Sequence, residues 1–200
     1  MPDRDHATIP LGIRDQVVKA CDHVAYFWES DEEFAEGVGF LQAGLRSGDY
    51  CVVFGHPEAN EKVLSVLADH GFPKESLANR LAVLGGKRLP DEMLSEIGAT
   101  FQSAVKGGAK LIRLLGNIGW GHPDWPVEND ILQFEAQVTE ACRMFPCVVV
   151  CMYDVKTLTG RVAIRAGMQS HPLTMCGGGV EENRHFVPAA QYVTRYLKRT

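Results

Sequence analysis

Six side chains in this sequence have the types and spacing to shape a chemical site. His23 opens the run His-Val-Ala-Tyr-Phe-Trp, which ends in Phe27 and Trp28. On a strand, alternation puts His23, Ala25 and Phe27 on one face and Val24, Tyr26 and Trp28 on the other. Tyr153 and Asp154 close a second apolar run that begins at Cys147, so a phenol and a carboxylate stand at its end. Glu135 lies in a stretch of helical periodicity. Aromatic walls with a few orienting polar groups suit a small, weakly polar ligand. By composition alone His23 also reads as a structural histidine at a strand start, and Asp154 as a polar strand-end residue.

Covalent and nucleotide chemistry find less support. Cys176 with His171 or His185 is the one local pairing of nucleophile and base. A phosphate-cradling loop needs G-x-x-x-x-G-K-[ST]. The nearest text, Gly85-Gly86-Lys87-Arg88, lacks the first glycine and the hydroxyl residue. G-x-G-x-x-G and G-x-S-x-G are both absent. The first strand runs into Glu29-Ser30-Asp31-Glu32-Glu33, whose carboxylates repel phosphate. Asp154 resembles a magnesium-holding acid at a strand end, yet without that loop it has no phosphate partner.

Cys142, Cys147 and Cys151 follow C-x4-C-x3-C. Cys147 and Cys151 fall on one face of one strand, about 13 Å apart at the usual rise, too far to bridge or to share a metal. They read as core thiols. No metal site, cofactor or catalytic set is therefore expected. A metal or tetrapyrrole sensor working through histidine stays open as an alternative, as does a degenerate nucleotide-binding or thiol-dependent enzyme.

The chain of 200 residues has a net charge of −5, is 46% hydrophobic and 22% charged. That balance excludes disorder and lacks the basic footprint of a nucleic-acid binder. Arg195, Lys198 and Arg199 read as favourable cations at a helix end. No apolar run reaches the roughly 20 residues of a membrane span. Met1 to Pro10 lacks a signal-peptide core. The expectation is a cytoplasmic protein with free thiols.

Positioning these residues requires strands alternating with helices. Strands are expected at 23–28, 50–54, 80–84, 110–115 and 147–153. Ser30 and Glu33 form a capping box before a helix that turns Phe34, Val38, Leu41 and Leu45 inward. Further helices carry Val63, Leu64 and Leu67, then Leu94, Ile97, Phe101 and Val105, then Ile131, Phe134, Val138 and Ala141. A short helix is expected at 161–167, a turn at Gly177-Gly178-Gly179, an edge strand at Phe186-Val187 and a last helix at 189–198. The alternation implies one α/β domain over 1–200 (core about 15–195), a three-layer α/β/α sandwich with a mainly parallel sheet. Ligands bind such sheets beyond the carboxyl ends of the strands. The loops at 28–32, 55–58, 85–90, 116–126 and 153–160 should share that rim, with Trp28, His56, Trp120, His122, Trp125 and Tyr153 on it.

The stretch His23-x-x-x-Phe27-Trp28 resembles the H-x-x-x-F-[YW] signature of the MEDS domain, the sensory domain of methanogen, methylotroph and dichloromethane-responsive regulators. Phe134-Glu135-Ala136, Cys151-Met152-Tyr153-Asp154 and His171-Pro172 follow in an order that agrees. The resemblance covers about residues 15 to 195. It implies a RecA-like fold without the nucleotide loop, and the sensing of small hydrocarbon derivatives or related metabolites in prokaryotic signalling. The motif residues carry over as His23, Phe27 and Trp28, with tryptophan where tyrosine is commoner. Glu135, Tyr153 and Asp154 join them as pocket candidates. Relatives often carry an output domain, for which this chain leaves no room. The expected partner is therefore a separate signalling protein or a second copy of the chain, with no direct contact to nucleic acid or membrane.

Overall fold

In the computed structural model, which describes residues 8–197, the two long apolar runs lie side by side in the middle of one sheet. An N-terminal ribbon, β1 (Ile9–Pro10) and β2 (Val17–Val18), precedes it. The sheet strands are β3 (His23–Trp28), β4 (Tyr50–Gly55), β5 (Leu81–Leu84), β6 (Ile112–Asn117), β7 (Cys147–Asp154), β8 (Leu173–Cys176) and β9 (Val180–Glu182). Their order is β5-β4-β6-β7-β3-β8-β9. Every neighbouring pair is parallel except the β8–β9 hairpin.

The helices are α1 (Asp31–Ser47), α2 (Pro57–Asp69), α3 (Pro90–Lys106), α4 (Glu128–Cys142), a short α5 (Gly160–Val162) and α6 (Ala189–Tyr192). Wide π-type turns extend α5 over Ala163–Met168 and α6 over Val193–Leu197. The Ser30 hydroxyl accepts from the Glu33 N–H, and the Glu33 carboxylate accepts from the Glu29 N–H. The Ser30 half of this capping box follows the sequence motif, while the Glu33 carboxylate reaches one residue further back than the motif's N-cap donor. No helix among the described residues is long and apolar enough to cross a membrane.

Strand alternation assigns each side chain to a layer. Val24 and Tyr26 of β3 and Val148, Val150 and Met152 of β7 pack with Phe34, Val38 and Leu41 of α1 and Val63 and Leu67 of α2. Ala25 of β3 and Val149, Cys151 and Tyr153 of β7 pack on the other face with Phe101 of α3, Phe134 of α4 and Tyr192 of α6. Strands covered on both faces read as unbroken apolar runs.

Several expectations shift. Phe186-Val187 forms no strand; the Val187 N–H instead donates to the Gln169 carbonyl. The edge hairpin is β8–β9, in which Val180-Glu181-Glu182 is too polar to show as a strand from its pattern. Val105 is 41% exposed rather than inward. Trp125 is buried, not on the rim, because a Cβ at Gly86 or Gly119 would overlap its indole and only glycines leave it room. Tyr153 is also buried, because its position in β7 turns it toward α4.

Candidate functional site

A cleft of about 560 Å³ opens beyond the carboxyl ends of β3, β4, β6 and β7, where a parallel sheet is expected to take ligands. Trp28, Phe34, Trp120 and Met152 supply apolar wall, while His56, Glu58, Lys62, Asn117, His122 and Asp154 supply polar groups. Trp28 meets Phe34 edge-on with ring centroids 5.0 Å apart. The Lys62 ammonium sits 4.3 Å from the Phe34 ring and 5.2 Å from the Trp28 ring, and pairs with Asp31 at 2.6 Å. The hydrogen bond from Lys62 holds the Asp31 carboxyl below its usual range.

Three donors on the cleft residues lack acceptors: the indole N–H of Trp28, the indole N–H of Trp120 and the amide NH₂ of Asn117 are shielded from solvent and meet no protein partner. Leaving such groups unpaired costs about 1–3 kcal/mol each. At one end His56 and His122 stack with centroids 4.2 Å apart, and His56 Nδ1 lies 3.0 Å from Glu58 Oε2. The bond to His56 lowers the Glu58 carboxyl. His56, Glu58 and His122 could together offer a cation three ligands.

A second constellation lies inside, on the α4 side of the sheet. His23, Glu135 and His171 are wholly buried, and Cys151 nearly so. His23 Nδ1 is 2.9 Å from Thr139 Oγ1, and His23 Nε2 is 3.3 Å from Cys151 Sγ. The Tyr153 hydroxyl donates to Glu135 Oε1 at 3.0 Å. Glu135 Oε2 lies 3.9 Å from Cys151 Sγ and 3.7 Å from His171 Nε2. Burial pushes the Glu135 carboxyl up to about 8, against the hydrogen bonds from Tyr153 and Cys151. Burial lowers His171 to about 4 and depresses His23 as well.

The six residues singled out from the sequence therefore divide. Trp28 and Asp154 line the cleft. His23, Glu135 and Tyr153 join the buried cluster, and Phe27 packs beside them with its ring centroid 5.4 Å from that of Tyr153. His23 faces the helix layer, not the cleft. Cys151 and Thr139 were overlooked, although Cys151 shares its strand face with Tyr153 and Thr139 follows Glu135 by one helical turn. As a site residue His171 was considered only beside Cys176, although His171-Pro172 belongs to the order of motifs that carries the resemblance. In the fold Cys176 is exposed, and its thiol makes no hydrogen bond to His171 or His185.

Comparison with known proteins agrees with this order of motifs. The profile of MEDS, the MEthanogen/methylotroph, DcmR Sensory domain, matches residues 22–172. The chain is also 27% identical over 139 residues to the transcriptional repressor DcmR of Methylorubrum extorquens, a match covering 67% of this chain and 51% of that protein. The chain thus spans about half the length of this curated relative. The matched region runs from Asp22, one residue before the motif histidine, to Pro172, one residue after His171, and takes in every strand bordering the cleft and all four members of the buried cluster; this chain belongs to the MEDS family of sensory domains.

Proposed function

We propose that this chain is a small-ligand-sensing module of prokaryotic signal transduction, and that its ligand sits in the cleft at the carboxyl ends of β3, β4, β6 and β7. The three unpartnered donors of Trp28, Asn117 and Trp120 carry this reading. They call for a compact molecule with an apolar body and at least one acceptor, such as a short alcohol or a related oxygenated hydrocarbon derivative. Asp154 accepts whatever hydroxyl proton the ligand offers. His23, Phe27, Glu135 and Tyr153 support the sheet end from behind. Binding would bias the 116–126 loop, which carries Trp120 and His122, between two arrangements, and a separate signalling protein or a second copy would read the difference.

The test is a thermal-shift panel of short alcohols, short-chain acids, methylamines and halomethanes on the whole chain, run beside Trp28→Phe and Trp120→Phe. Phenylalanine keeps the wall and deletes the N–H. A ligand at a hundred times its Kd adds about 2.7 kcal/mol to the parent. The expected result is stabilisation of the parent and a clear loss in both variants. Equal stabilisation of all three proteins would sink the cleft assignment.

A second, apolar chamber of about 40 Å³ lies between α3, α4 and the sheet, lined by Phe54, Phe101, Phe134 and Cys151. A halomethane response indifferent to both tryptophan substitutions would move the ligand there.

A further inference from the structure

The buried cluster has an arrangement that hydrogen bonding within the protein leaves incomplete. The Thr139 hydroxyl donates to the Ser170 carbonyl at 3.0 Å, so toward His23 it can only accept. His23 Nδ1 must carry the hydrogen, so its Nε2 lone pair accepts from the Cys151 thiol at 3.3 Å. The same logic fixes His171. Its Nδ1 faces the Ala166 carbonyl at 3.0 Å, an acceptor only, so Nδ1 is again the donor and Nε2 the lone pair. His171 Nε2 is fully buried and finds no hydrogen-bond partner. Glu135 Oε2 lies 3.7 Å from it, outside hydrogen-bond reach.

Two imidazole Nε2 atoms, a carboxyl and a thiol thus converge. One ligand atom from each of His23, Glu135, Cys151 and His171 lies within 4.8 Å of all the others. Neighbouring separations are 3.3, 3.7 and 3.9 Å. Tetrahedral coordination with bonds of about 2.0–2.3 Å spaces its ligand atoms by about 3.3–3.8 Å, so a cation fits with small side-chain adjustments.

We propose that His23, Glu135, Cys151 and His171 form a closed, four-coordinate site for a divalent transition metal of the zinc class. This site goes beyond the ligand cleft and does not rest on it. Two imidazoles, a thiolate and one carboxylate suit a borderline ion such as zinc over the hard cations magnesium and calcium. The metal takes the place of the Cys151 thiol proton and of the Glu135 carboxyl proton, and both leave to solvent. The outer shell is already built: Thr139 orients His23, Ala166 orients His171, and Tyr153 holds the free oxygen of Glu135. Protein supplies all four ligands, so the site is of the structural kind, pinning β3, α4, β7 and the segment before β8 together.

The test loads the purified whole chain with cobalt(II) or zinc(II) after chelator treatment and dialysis. The expected result is one metal per chain, a thiolate-to-cobalt charge-transfer band and the visible bands of a tetrahedral cobalt ion. Cys151→Ala should lose the charge-transfer band, while Cys147→Ala and the cleft variant His122→Ala should keep it. Thr139→Val, nearly isosteric, should weaken cobalt binding by about 10–100-fold. A parent chain that takes up no stoichiometric cobalt overturns the proposal, whatever the variants do. So does a charge-transfer band that survives Cys151→Ala. Metal uptake lost only in His122→Ala would place the ion at the cleft instead.

Discussion

Trp28 and Asp154 are register partners at the carboxyl ends of the adjacent parallel strands β3 and β7. Both side chains line the same cleft. The pairing continues one step past the strands, where the Val155 N–H donates to the Trp28 carbonyl at 3.0 Å. The backbone therefore fixes the two Cα positions from which an indole donor and a carboxylate acceptor enter the cleft. Asp154→Asn should leave stability within about 0.5 kcal/mol, as for a surface change. It should weaken a hydroxyl ligand by about tenfold, since a neutral acceptor replaces a charged one. Tryptophan fluorescence titration of the ligand found in the thermal panel measures this, and unchanged affinity would remove Asp154 from the site.

Arg113 is 1% exposed and ties three segments together. Its Nε donates to Asp49 at 2.8 Å, and its Nη1 donates to the Pro10 carbonyl at 2.8 Å and the Phe40 carbonyl at 3.3 Å. Arg113→Met strands those acceptors and should cost about 3–5 kcal/mol in urea denaturation. The double variant with Asp49→Ala should lose less than the sum of the two single losses.

Gly119 shows how the cleft loop is seated. A Cβ there would stand 2.6 Å from the Trp125 indole. Gly119→Ala should destabilise the chain by about 1–3 kcal/mol through overpacking. It should also change the near-ultraviolet circular dichroism of Trp125. A fully native spectrum would show that the loop yields without strain.

The metal-free chain should have a stability maximum near neutrality, and the two sides have different causes. Burial lowers His171 to about 4 and depresses His23, so below their ordinary value of 6.5 the unfolded chain binds more protons than the folded one. Stability therefore falls as pH drops below that value. Burial raises Glu135 from 4.5 to about 8, so between these values the folded chain holds the extra proton. Its contribution is present below the lower value and is lost as pH rises toward the upper. Above the histidine range Glu135 acts without them, and stability should decline by about 2 kcal/mol from pH 6.5 to 8. Urea midpoints of chelator-treated protein measure this, and Glu135→Gln should flatten the alkaline limb and steepen the acid limb between 4.5 and 6.5.

The sequence by itself determined the layers and part of the rim. Apolar runs of strand length, the capping box at Ser30 and Glu33 and the alternation within His23 to Trp28 follow from local periodicity, and the five parallel strands expected from those runs formed within two residues of where the patterns put them. The same alternation already separated Phe27 from Trp28. Grouping His23, Phe27, Trp28, Glu135, Tyr153 and Asp154 into one pocket overlooked what that parity means, because a sheet stands between its two faces. Only the tertiary structure decided which distant residues meet. His171 reaches Glu135 because β8 docks beside β3 and brings the preceding segment against α4, a pairing that no periodicity encodes. Trp125 left the rim for the interior because Gly86 and Gly119, far apart in sequence, leave one indole-shaped space between them. Local patterns fix what each segment can bury; the close packing of segments remote in the chain fixes what each buried group must touch.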